Sequence, residues 1–84
     1  MKLVGVWVLA FARAREILGE SRLRLRLAPG ARAADAWAEL VRRAPELAAL
    51  RDSTRLARNG RIVSAEELLH DGDEVALLPP PGGG

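Results

Sequence analysis

The chain has 84 residues, 49% of them hydrophobic, and a formal net charge of +2 at pH 7. This composition predicts one small globular domain and argues against an intrinsically disordered chain. Cysteine is absent, which excludes disulfides, thiolate metal sites and cysteine nucleophiles. The longest apolar stretch, Leu3 to Ala12, is too short to span a bilayer and lacks the flanks of a signal peptide. We therefore expect a cytoplasmic protein without a membrane partner.

The first predicted element is a strand from Leu3 to Phe11. Its valines alternate with other apolar residues, so both faces of the strand are apolar and we expect it to be central in a sheet. Trp7 is expected on the face away from the main helix, where an exposed ring would join Leu9 and Phe11 in an apolar patch suited to a partner. Ala12 to Gly19 predicts a short helical turn that ends at the glycine.

The second predicted strand, Ser21 to Leu27, has the clearest pattern in the chain. Its leucines alternate strictly with Arg22, Arg24 and Arg26, which indicates one buried face and one solvent face. We interpret the arginines as a solvated face. Nucleic-acid binding is the alternative, but no aromatic residue interleaves with these arginines in the sequence, and the chain carries eleven carboxylates among its basic residues. We therefore expect no nucleic-acid partner.

A helix is predicted from Ala33 to Arg43, with Trp37 on its apolar face and therefore in the core. Arg32 lies at the N-cap position, where Ser, Thr or Asp is preferred, so we expect this helix end to lack a cap, at a cost of about 1 kcal/mol. Pro45 ends the helix and is predicted to start a short second one that runs through Leu50.

Two turns are predicted in the second half of the chain. Asn59-Gly60 lies between two short apolar segments and is the strongest local hairpin signal in the sequence. His70 to Glu74 predicts a tight turn with a positive φ at Gly72, because the ligand spacing of a calcium loop is absent. We expect no metal site here. The turn places carboxylates beside the last strand, where they could meet an arginine of a partner.

The last predicted strand, Val75 to Leu78, is apolar like the first. The order of strands and helices predicts an α+β fold in which one main helix packs across a mixed sheet. This order is that of a β-grasp, or ubiquitin-like, domain, whose first and last strands lie side by side at the centre. We assign residues 1–78 to this domain and residues 79–84 to an extended tail.

The tail, Pro79 to Gly84, consists of three prolines, which restrict the backbone, followed by three glycines without side chains. Proline lacks a backbone donor and holds φ at about −65°, which favours an extended stalk. Glycine has no Cβ, so a flexible run of glycines can thread a narrow channel and place the carboxylate of Gly84 in another protein's active site. A frayed terminus is the alternative interpretation.

Three segments together resemble a known family. Phe11 to Gly19 resembles the opening of the MoaD-like sulfur carriers, the small subunits of molybdopterin synthase within the MoaD/ThiS superfamily. Asn59-Gly60 resembles their mid-chain hairpin, and Asp71 to Pro80 resembles their last strand, followed at the family spacing by Gly-Gly. The chain departs from the pattern at Leu78, where the family often has an aromatic residue, and in the extra proline and glycine of the tail.

The resemblance implies a carrier without an autonomous catalytic site and without a bound cofactor. An E1-like adenylating enzyme would use ATP to adenylate Gly84, which Gly83 joins to the chain as an unhindered link. A thiocarboxylate would follow and deliver its sulfur to a pterin inside the large subunit of molybdopterin synthase, with which a heterotetramer is implied. The implied partner-binding residues are Phe11, Leu77, Leu78, Pro79, Pro80 and Gly82. A related sulfur carrier or protein modifier, serving tRNA or thiamin thiolation, is the alternative.

Overall fold

The structure, a computed structural model, describes residues 2–81. The elements occur in the predicted order, and the main helix has the predicted bounds. Along the chain they are β1 (Val4–Ala10), α1 (Ala12–Leu18), β2 (Arg22–Leu27), α2 (Ala33–Arg43), a 3₁₀ helix (Pro45–Ser53), β3 (Arg55–Arg58), β4 (Arg61–Val63) and β5 (Glu74–Leu78). The 3₁₀ helix extends beyond the predicted end at Leu50, and the Thr54 hydroxyl closes it by donating to the Leu50 carbonyl at 2.7 Å.

The five strands form one mixed sheet in the order β2-β1-β5-β3-β4. β1 and β5 are parallel neighbours, with Ala10 opposite Leu77, whereas the other strand pairs are antiparallel. α2 covers one face of the sheet, and we call the other face the open face. The predicted α+β architecture, with the first and last strands side by side, is therefore confirmed.

The hydrophobic core lies between the sheet and α2. Val8 of β1, Leu25 of β2 and Leu40 of α2 are each 0% exposed, and Trp37 is buried as predicted. Burial of a side chain of this size stabilises the fold by about 1.5–3 kcal/mol. The strict alternation of β2 explains its orientation, because the leucines enter the core and the arginines face solvent.

Arg32 makes no side-chain cap hydrogen bond, as predicted, but other groups satisfy the N-terminus of α2. The Asp35 carboxylate accepts a hydrogen bond from the backbone N–H of Arg32 at 2.7 Å. The N–H groups of Ala33 and Ala34 donate to two backbone carbonyls of the loop 64–69, at 2.8 and 2.9 Å. Because the first N–H groups of a helix have no partner within it, this distant loop supplies what a local side chain does not.

The hairpin between β3 and β4 turns through Asn59-Gly60, as predicted. Both residues have positive φ, 49° and 85°, which is the geometry of a type I′ turn. The Asn59 side chain also reaches the start of β5, where its Oδ1 accepts from the N–H of Glu74 at 2.9 Å. The hairpin is thereby tied to the strand that leads into the tail.

Asp73 anchors the turn before β5. Its carboxylate accepts hydrogen bonds from Arg58 Nε and the His70 backbone N–H, each at 2.7 Å, and from Asn59 Nδ2 at 2.9 Å. Burial alone would raise the pKa of Asp73, but these hydrogen bonds, chiefly that from Arg58, outweigh burial and lower the pKa below its ordinary value. Gly72 has the predicted positive φ, 89°. Asp73 therefore pairs with Arg58 of its own chain, and not with an arginine of a partner.

Trp7 lies half-buried on the open face, opposite Arg24 in the β1–β2 pair. The guanidinium carbon of Arg22 lies 3.9 Å from the centroid of the indole ring, and that of Arg24 lies 5.2 Å from it. These are cation–π distances. No aromatic residue lies among the arginines in the sequence, but the neighbouring strand β1 supplies one in the folded chain. No helix within residues 2–81 combines the length and the apolar character required to cross a membrane.

We expect Asp73→Ala to lower the free energy of unfolding by about 3 kcal/mol, because it leaves Arg58 Nε, the His70 N–H and Asn59 Nδ2 without their acceptor. Urea unfolding of the variant and of wild type measures the difference. Since the folded-state pKa of Asp73 is depressed, its stabilisation is present above the ordinary value of 3.8 and is lost as pH falls through the folded-state pKa. The difference should therefore shrink on acidification.

Glu74→Ala is the matched control, since Glu74 is the exposed acidic residue next in the chain. We expect it to change the free energy of unfolding by less than about 0.5 kcal/mol. An Asp73→Ala effect that is equally small, or one that stays constant on acidification, would contradict the anchoring role.

Candidate functional site

The end of β5 and the end of β1 meet at one pole of the sheet. Because these strands are parallel with Ala10 opposite Leu77, Phe11, which follows β1, lies beside Leu78, the last residue of β5. We call this end, with Phe11, Leu78, Pro79 and Pro80, the tail pole. Proline has no N–H to donate, so the ladder of β5 cannot continue past Leu78. Gly82, Gly83 and Gly84 lie outside the described residues.

The residues at the tail pole differ in exposure. Phe11 is 44% exposed, Pro79 is exposed, and Leu78 and Pro80 are half-buried. Leu77 is 1% exposed and belongs to the core, so its placement differs from the partner-facing surface that the resemblance implied. Its side chain lies in the hydrophobic core, whereas the next residues, Leu78 and Pro79, are half-buried and exposed.

An apolar groove of about 470 Å³ opens at the tail pole. Phe11 and the first turn of α1 form one wall, the end of the 3₁₀ helix forms another, and the start of the tail forms the third. The lining residues include Phe11, Ala12, Arg13, Leu50, Thr54, Leu77, Pro79 and Pro80. The charges at its rim are largely neutralised, since Arg13 lies 3.7 Å from Glu16 and 4.0 Å from Glu46. The groove therefore offers shape and apolar surface at the point where the tail departs.

Ala12, beside Phe11 in the groove, has a φ of +49°. This left-handed conformation is uncommon for a residue with a Cβ and costs about 1 kcal/mol. It turns the chain abruptly from β1 into α1, so that Phe11 stays at the surface instead of following its strand into the sheet. Strained backbone of this kind concentrates at functional sites.

A row of side chains crosses the open face next to the tail pole. The strand registers align Leu9, Ala76, Ala57 and Ile62 from β1 to β4, with Arg22 on the outer strand β2. Ile62 is 58% exposed, more than any other large apolar side chain in the described chain. The sequence pattern did not identify Ile62 as a surface residue; its position between Arg61 and Val63 in a three-residue strand after the Asn59-Gly60 turn is the signal that could have identified it.

The acidic residues before β5 make contacts within the chain. Among residues 2–81, no three His, Asp or Glu side chains come together in a way that could hold a metal ion. Of the acidic residues before β5, Asp73 is engaged by Arg58, and Asp71 accepts a hydrogen bond from the N–H of Gly5 at 2.7 Å. The arrangement places the prolines that follow β5 beside an apolar groove.

A model of the ThiS family matches residues 8–84, which is nearly the whole chain. The chain belongs to the ThiS family. It is 36% identical over 81 residues to the molybdopterin synthase sulfur carrier subunit of Arabidopsis thaliana, a match that covers 96% of this chain and 84% of the relative. The predicted resemblance to the MoaD/ThiS superfamily is thus confirmed.

Solved structures of ThiS-like proteins have the same fold. The putative molybdopterin converting factor subunit 1 of Pyrococcus furiosus superposes with a TM-score of 0.84 at 34% identity, covering 92% of this chain and 98% of that one. Small archaeal modifier protein 1 of Haloferax volcanii superposes with a TM-score of 0.84 at 31% identity, covering 95% of this chain and 99% of that one. The predicted ubiquitin-like β-grasp fold is confirmed.

We expect Ala12→Gly to raise the free energy of unfolding by about 0.5–1 kcal/mol, because glycine adopts a positive φ without a Cβ clash. Ala14→Gly, two residues on and inside α1, is the control and should lower it by a similar amount or more, since glycine is unfavourable within a helix. Thermal unfolding of the two variants measures both changes. Destabilisation by Ala12→Gly would mean that the left-handed turn stores no strain.

Proposed function

We propose that this chain is the sulfur carrier subunit of a molybdopterin synthase. The single observation that carries the proposal is the exposed, proline-stiffened end of β5 beside Phe11 and the groove, in a chain that belongs to the ThiS family. The relative from Arabidopsis thaliana bears that function in its name and matches over 96% of this chain. A carrier needs a folded domain and an accessible C-terminal carboxylate, and we assign these roles to the β-grasp domain and the tail.

The proposed chemistry takes place at the carboxylate of Gly84. One carboxylate oxygen attacks the α-phosphate of ATP in an E1-like adenylating enzyme, an O–P bond forms, and pyrophosphate leaves. A sulfur donor then displaces AMP from the acyl carbon and leaves a thiocarboxylate. The carboxylate alone is a poor acyl donor at neutral pH, and the adenylate supplies the leaving group that it lacks. Gly83 leaves the acyl carbon open to attack.

The proposed docking surface is the tail pole together with Ile62. Phe11, Ile62 and the half-buried Leu78 offer apolar area, and the exposed Arg55 lies opposite Leu78 in the sheet. Apolar side chains with arginine are typical of the centre of a protein interface. We propose that the large synthase subunit and the E1-like enzyme bind there in turn, and that Gly82 passes with the tail into each active site. The heterotetramer with the large subunit and the cytoplasmic location stay predictions.

The second candidate is a ubiquitin-like protein modifier, or a sulfur carrier for tRNA or thiamin thiolation. The likeness to small archaeal modifier protein 1, at 31% identity and a TM-score of 0.84, favours the modifier. The two functions share adenylation and diverge afterwards, since a modifier forms an amide bond to a lysine of its target. Analysis of the products formed after activation separates them.

We expect a mass increase of about 16 Da when the full chain is incubated with its E1-like enzyme, ATP and a sulfur source, because sulfur replaces one oxygen. A variant that lacks Gly83-Gly84 should keep its fold by circular dichroism and show no increase. Intact-mass spectrometry measures the mass change of the full chain and of the shortened variant. An equal increase in the shortened variant would place the chemistry elsewhere.

We expect Phe11→Ala and Ile62→Ala each to weaken binding to the large synthase subunit by about tenfold, as truncation of an apolar interface residue commonly does. Leu3→Ala is the matched control, because Leu3 is 46% exposed but precedes β1 at the opposite pole. Calorimetric titration measures the affinities. Equal losses in all three variants, or losses in none, would refute the proposed surface.

A further inference from the structure

β2 forms one edge of the sheet, and its outward backbone groups belong to its arginines. The N–H of Ala10 donates to the carbonyl of Ser21 at 2.9 Å, which fixes the phase of the antiparallel ladder. The hydrogen-bonded pairs of that phase use the leucines of β2, so the N–H and C=O groups of the arginines point away from β1. Within residues 2–81, β2 has no second neighbouring strand, and these outward groups make no other backbone hydrogen bond.

The same three arginines place their side chains on the open face. Arg22, Arg24 and Arg26 are exposed, and none forms an ion pair with a carboxylate of the described chain. Arg22 and Arg24 lie over the Trp7 ring, at 3.9 and 5.2 Å, which restrains their guanidinium groups on the sheet. Each arginine therefore offers an unpaired edge amide, an unpaired edge carbonyl and an available cation.

We propose that the β2 edge binds an extended segment of a partner protein in which acidic residues occupy alternate positions. The segment would add to β2 as an antiparallel strand, with its backbone bonded to the arginines' outward groups. Alternate side chains in a strand recur at about 6.8 Å on the same face, so carboxylates at every second position of the segment match the arginine ladder. The backbone hydrogen bonds between β2 and the segment contribute the affinity, and the ion pairs fix the register of the segment along β2.

The charges of the arginines favour an acidic strand over two other partners, a second copy of this chain and a nucleic acid. A second copy paired through β2 would set arginine against arginine across the new ladder, which is unfavourable. Nucleic acid binds through a strong basic field, whereas this chain has a net charge of only +2. An acidic strand satisfies both the free amides and the cations at once.

The outward groups of the β2 edge face away from the end of β5, although Arg22 lies at the end of β2 nearest the tail pole. β1 lies between β2 and β5, and the edge groups point away from both. A partner held on β2 would therefore leave the end of β5 free, and the inference stands whether or not the proposed sulfur-carrier function is correct.

The test uses the full chain and a short peptide in which glutamate alternates with threonine. Amide hydrogen exchange by NMR is the direct measurement. We expect the peptide to raise the protection of the Arg22, Arg24 and Arg26 amides by about tenfold or more, while the leucine amides of β2, already bonded to β1, change little. A peptide of the same composition with its glutamates in one block is the control and should protect none of them.

The variant Arg22→Gln/Arg24→Gln should weaken binding of the alternating peptide by about tenfold. Arg42→Gln/Arg43→Gln removes the same charge from exposed positions of α2 and should change affinity less than about twofold. Three outcomes would overturn the proposal: equal binding of the two peptides without new amide protection, tighter binding of single-stranded DNA than of the alternating peptide, or edge protection produced by self-association of the chain alone. Deletion of Gly83-Gly84 should leave peptide binding unchanged, which separates this test from that of the carrier function.

Discussion

The parallel pairing of β1 with β5 is the contact on which the rest of the structure depends. β1 pairs with β2 on one side and, from Trp7 to Ala10, with β5 on the other, so both strands lie in the interior of the sheet. Only this pairing places Phe11 beside the last residue of β5. The tail pole, the groove and the separation of the β2 edge from both are consequences of it.

A second constraint comes from the loop between β4 and β5, which is held at three distant places. Its carbonyls cap α2, Asp71 binds the backbone of Gly5, and Asp73 binds Arg58. Each contact joins segments far apart in the chain, and together they fix where β5 begins. Polar contacts therefore fix the start of β5, and burial of apolar side chains fixes its end, where the tail begins.

Much of this fold could be predicted because its signals are local. Strict alternation defined β2, Asn59-Gly60 defined the hairpin, and the helical period defined α2. Most of the missed features involve partners distant in sequence, whereas the contact of Asp35 with the Arg32 N–H is local. The contacts of the first N–H groups of α2 with the loop 64–69, the pairing of Asp73 with Arg58 and the stacking of Arg22 on Trp7 depend on the tertiary fold, which no local pattern encodes. The exposure of Ile62 likewise follows from its place at the sheet edge, and the proline-glycine tail was informative only through its composition.

The direction of β1 has a practical consequence. Lys2 is the single lysine of the chain, is exposed, and precedes β1 at the pole opposite to the end of β5. Coupling to a sensor chip or a fluorophore through a side-chain amine can occur at that position alone. Molecules immobilised in this way would all share one orientation, with the end of β5 directed into solution and accessible to any enzyme that flows past.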